Sequence, residues 1–76
     1  MTQDEFSVIM SLKGYTVSPL PNSTHATYSN KILRVYAIDH GDTVTLEVWH
    51  HSHFATYTSY AHLIDHLDRL IRAAQS

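Results

Sequence analysis

Five of the chain's seven histidines fall in one stretch, HHSHFATYTSYAHLIDH, residues 50–66. Histidine is the side chain that titrates nearest neutral pH and the commonest metal ligand. His62 and His66 stand four residues apart, the H-x-x-x-H spacing that lets one turn of helix present two imidazoles to zinc, nickel or copper. A site needs a third ligand and supporting partners. His53 or His51, which share parity along a continuing strand, are the candidates, whereas His50 points with the core residues. The expected set is therefore His62, His66 and His53, with zinc as the cofactor if there is one. The plainer expectation is that 50–66 is a strand-to-helix junction whose histidines are solvated or cap the helix. Protonating all seven would carry the formal charge from −2 to +5, so a response to mild acid is also expected.

Other chemistries find less to work with. No G-x-S-x-G elbow is present, and with Gly14 and Gly41 as the two glycines there is no phosphate-cradling loop. H-E-x-x-H is absent, because Leu63 follows His62 and Asp65 precedes His66. The expectation is a protein that is not an enzyme. Five basic and seven acidic residues are spread evenly, −1 over residues 1–30 and −1 over 31–76, so there is no basic stripe for a phosphate backbone. Cysteine is absent, which excludes disulfides and thiolate zinc sites. No signal peptide or membrane span is read, and the chain is expected to be cytoplasmic.

The elements that must position these residues can be read from pattern. Thr2 and Glu5 match a capping box ahead of Phe6, Ile9 and Met10, with Val8 and Leu12 widening the apolar face and Gly14 as the stop, which predicts a helix over 3–13. Pro19 and Pro21 make 15–23 a connector. Residues 24–29 alternate weakly, while 31–39 and 43–51 are rich in β-branched and aromatic residues. If His40-Gly41 is a two-residue turn, Ala37, Val35 and Leu33 face Val44, Leu46 and Val48 on the buried side. Tyr36, Arg34 and Ile32 then face Thr45, Glu47 and Trp49 on the other, with Arg34–Glu47 an opposite-charge pair. Tyr60, Leu63, Ile64, Leu67, Leu70, Ile71 and Ala74 recur at helical spacing, which predicts a helix over 59–74 capped by Thr58 or Ser59. On its wheel, at about 100° per residue, His62 and His66 fall outside or beside the apolar stripe.

The expected fold is a single α+β domain over 1–76, in the order α-β-β-β-α. A three-stranded antiparallel sheet carries both helices on one face. Its open face displays Ile32, Arg34, Tyr36, Ile38, Thr43, Thr45, Glu47, Trp49 and His51. Tryptophan, tyrosine and arginine are enriched where proteins bind one another. Arg34, Tyr36, Ile38, Glu47, Trp49 and His51 are thus the expected contact residues for a protein partner. A chain this short gains from burying surface in a second copy, so a homo-oligomer is expected too.

Helix, three strands, helix is similar to the element order of double-stranded-RNA-binding domains, and the length agrees. That resemblance implies lysines gripping phosphate at the start of the second helix and a strand turn entering the minor groove. The corresponding stretches here are Thr58-Ser59-Tyr60-Ala61-His62, without lysine or arginine, and the acidic Asp39-His40-Gly41-Asp42. Both departures count against nucleic acid as a partner. The size and the lack of catalytic motifs look like the small accessory proteins of phages and mobile elements. The leading expectation is accordingly a protein-binding inhibitor or adaptor, with histidine-based metal binding or pH response as the alternative and a nucleic-acid-binding module third.

Overall fold

The computed structural model describes residues 1–19, 24–50 and 53–75, with the backbone alone for Pro19, Ala74 and Gln75. The first helix, α1, spans Gln3–Leu12. Its capping box is formed: Glu5 N donates to Thr2 Oγ1 at 3.2 Å, and Thr2 N donates to Glu5 Oε1 at 3.1 Å. At the other end Tyr15 N donates to Met10 O and Gly14 N to Ser11 O, both at 3.0 Å, with Gly14 at φ 92°. This is the Schellman closure that the left-handed glycine permits. Phe6 and Met10 are buried, but Val8 and Leu12 do not join them; Leu12 is 82% exposed. Each lies two residues, about 200° around the helix, from a buried residue, so both look outward.

Among the described residues five strands follow, not three: β1 (Thr16–Pro19), β2 (His25–Ser29), β3 (Arg34–Asp39), β4 (Val44–His50) and β5 (His53–Tyr57). They form one sheet in sequential order, each neighbour antiparallel. The element order thereby departs from that of double-stranded-RNA-binding domains. Residues 16–19, expected as connector, make a short edge strand, the one place in a sheet where proline is tolerated. Residues 53–57, expected as junction, pair fully with β4.

The β3–β4 register is shifted by two residues from the expected one. Ala37 faces Leu46, Val35 faces Val48, Tyr36 faces Glu47 and Arg34 faces Trp49. The connection is four residues long, closed by His40 N donating to Thr43 O at 2.8 Å, and the left-handed backbone falls on Gly41 at φ 98°. Asp39 Oδ1 accepts from Gly41 N at 2.8 Å, which fixes the turn locally. A shift of two preserves the faces and changes only the partners, so the expected Arg34–Glu47 opposition is replaced.

The second helix, α2, spans Tyr60–Gln75, and the Ser59 hydroxyl accepts from His62 N at 3.3 Å. Both helices lie on one side of the sheet, α1 against β1 and α2 against β4 and β5. The core between them holds Phe6, Met10, Tyr28, Val35, Leu46, Val48, Leu63 and Leu67. Phe6 joins its parts, with ring centroids 4.9 Å from Tyr28 and 4.7 Å from Tyr60. Burial of these side chains contributes roughly 2 kcal/mol each. No helix among the described residues is long and apolar enough to cross a membrane.

Candidate functional site

The side of the sheet away from the helices is organised in rows across the strands. Arg34 on β3 faces Trp49 on β4, which faces Phe54 on β5. Trp49 and Phe54 are 48% and 50% exposed, with ring centroids 4.3 Å apart and planes inclined at 50°. The tilted contact packs the two rings together while leaving about half of each side chain exposed. The next row runs Thr27, Tyr36, Glu47, Thr56, and the third His25, Ile38, Thr45. His25 Nδ1 and Tyr36 Oη share a hydrogen bond across β2 and β3, which holds the phenol against the sheet. His40 Nε2 and Thr45 Oγ1 share another at 2.9 Å.

Five of the six expected contact residues thus lie on this face. Arg34 and Trp49 are exposed, and Tyr36, Ile38 and Glu47 are half-buried. His51, the sixth, lies outside the described residues. Ile32 does not belong to the face: it sits in the Asn30–Leu33 turn and packs against the core. That turn is closed by Asn30 Oδ1, which accepts from Ile32 N and Leu33 N at 2.7 Å each. Phe54 is the residue that sequence reasoning missed. The alternation of Phe54 and Thr56 against His53, Ala55 and Tyr57 was the available signal, masked by the histidines around it.

The expected metal ligands separate into two groups. His62 and His66 lie with ring centroids 4.4 Å apart and nearly perpendicular. Tyr57 touches both edge-on, at 5.5 and 5.8 Å. His53, at the far end of β5, lies instead beside His50, ring centroids 5.0 Å apart. His50 is buried on the helix side, as its parity predicts. Among the described residues no three histidine or acidic side chains converge as a metal-holding group within the chain.

A third feature is the junction near the start of α2. The Tyr60 hydroxyl is buried there and has no hydrogen-bond partner among the described residues. Burial, with a smaller contribution from Asp39, pushes its phenol up to about 12. Asp39, Asp42 and the Thr58–Ala61 segment line an open concavity beside it.

No family model, no curated protein and no solved structure matches this chain.

Proposed function

We propose that this chain is a non-enzymatic protein-binding module of the inhibitor or adaptor type, and that the sheet face opposite the helices is its contact surface. The observation that carries this reading is the Arg34–Trp49–Phe54 row: two large aromatic rings in mutual contact and half exposed, with a guanidinium-bearing residue next in line. A paired aromatic platform offers a partner wide apolar area at small cost in side-chain entropy, and arginine adds directional hydrogen bonds at its border. Lys31, at the end of the sheet beside Arg34 and Trp49, adds a second cation to that border. The partner that suits it presents an apolar side chain flanked by carboxylates.

The test is affinity capture from a lysate of the native host with wild type, Trp49→Ala and Leu12→Ala side by side. Circular dichroism verifies each fold. Leu12 is exposed on α1, away from the sheet face, and serves as the control. A protein held by wild type and Leu12→Ala and lost with Trp49→Ala supports the reading. An equal catch on all three contradicts it.

A further inference from the structure

The two edges of the sheet are unlike. β1 is four residues long and ends in Pro19, features that discourage another strand from adding. β5 is His-Phe-Ala-Thr-Tyr, with no proline, lysine or carboxylate. Counting the antiparallel alternation from the His40–Thr43 bond places the backbone groups of His53, Ala55 and Tyr57 toward β4. Those of Phe54 and Thr56 therefore point out along the free edge.

A second copy running antiparallel along this edge can pair all five residues when Ala55 lies opposite itself. Phe54 then exchanges hydrogen bonds with Thr56 of the second copy, and His53 of the second copy falls opposite Tyr57, with Cα atoms about 4.5 Å apart. The twofold axis stands perpendicular to the sheet, so both α2 helices lie beneath it, side by side. α2 packs under β4 and β5, and strands are about 4.8 Å apart. The two helices therefore come within about 10 Å, the upper end of ordinary helix packing.

This register has a chemical consequence. Tyr57 is the residue that His62 and His66 both touch. The histidine that the single chain holds apart from that pair, His53, is delivered to it by the second copy. We infer that β5 is a homodimer edge and that each dimer carries two symmetric divalent-cation sites, each built from His62 and His66 of one copy and His53 of the other. Three neutral imidazoles suit zinc, nickel or copper and leave one coordination position for water. Neither site is complete without the second copy.

The cation sites use no residue of the contact surface proposed above, although Phe54 belongs both to that surface and to the β5 edge. The experiment is native mass spectrometry and sedimentation velocity on the full chain, in chelator and with added zinc ion. Wild type is expected to double its mass with zinc and to carry two zinc ions per dimer. Leu12→Ala, exposed on α1 and away from the sheet, should do the same. His53→Ala alone and His62→Ala/His66→Ala alone should each remain single chains. Mixed together, these two variants should form a heterodimer holding one zinc, since one composite site is then intact. Alanine favours the helix at positions 62 and 66, His53 is exposed on the edge strand, and circular dichroism checks each variant for unfolding. Zinc bound by a single chain, a mass unaffected by zinc, or a mixture that fails to complement would each overturn the inference.

Discussion

Trp49 and Phe54 face one another across β4 and β5 with ring centroids 4.3 Å apart, on the side of the sheet that carries no helix. Both rings are about half exposed, so their contact contributes to stability while leaving area for a partner. A pair of this geometry is worth about 0.5–1.5 kcal/mol beyond its area. Trp49→Ala and Phe54→Ala should each lower the free energy of urea unfolding by about 1 kcal/mol and leave the chain folded. The double variant should cost less than the two summed, by a coupling within that range. Strict additivity would show that the rings do not interact in solution.

Phe6 is the opposite case. It is fully buried, packed against Tyr28 on the sheet and Tyr60 on α2. Phe6→Ala should cost about 3–5 kcal/mol. Against a total of about 5–15 kcal/mol for a domain, that brings the chain close to unfolding. A drop below about 1 kcal/mol in chemical denaturation would mean that α1 is not held by this side chain.

Tyr60 governs the alkaline limb of stability. Its phenol is pushed up to about 12 in the fold, by burial first and by Asp39 second. The unfolded phenol titrates near 10, so above that pH the unfolded chain has released a proton that the folded chain still holds. The Tyr60 contribution is therefore flat below pH 10 and is lost between 10 and 12. Tyr28 and Tyr15 are also raised by burial and add to the fall. Tyr60→Phe should flatten the limb without abolishing it. At neutral pH it should be neutral or stabilising by up to about 1 kcal/mol, because the hydroxyl it removes is buried without a partner among the described residues. Thermal unfolding of both chains at pH 7, 10 and 11.5 measures each part.

The start of α1 governs an acid response. The backbone and hydroxyl hydrogen bonds from Thr2 hold the Glu5 carboxyl below its ordinary value. A depressed folded value means that the contribution is complete above the unfolded pKa, near 4.5, and is lost as pH falls through the lower folded value. Thr2→Ala should cost about 1 kcal/mol at neutral pH and weaken this part of the acid dependence without removing it, because the backbone donor at position 2 remains; Glu5→Gln, which carries no titrating group, should remove it. An unchanged acid profile in that variant, followed by circular dichroism, would place the acid sensitivity elsewhere.

Some of this was legible in the sequence. Thr2-Glu5 and Gly14 marked both ends of α1, and the Leu63-Leu67 spacing marked α2, because caps and period are local properties. The faces of β3 and β4 were legible from alternation, and with them Arg34, Tyr36, Ile38, Glu47 and Trp49 as residues of one surface. Their partners were not. Face depends on parity alone, whereas register depends on turn length, and Asp39 closes a turn two residues longer than the shortest one that Gly41 allows. β1 and β5 were hidden for opposite reasons. Proline argues against a strand unless the strand is known to be an edge, and the histidines around 50–53 argued for ligands where His53–Tyr57 pairs antiparallel with β4. Missing β5 removed Phe54 from the surface and concealed the free edge.

Trp49 is the single tryptophan in the chain, so 5-fluorotryptophan labelling gives one fluorine resonance that reports on the sheet face alone. The most direct test of the central claim is to record that resonance in the free protein and with the partner recovered by capture. Burial of Trp49 against the partner predicts a shifted, broadened signal that no longer responds to the change from H2O to D2O. A resonance that stays where it was, equally solvent-sensitive in the complex, would contradict the claim that this face makes the contact.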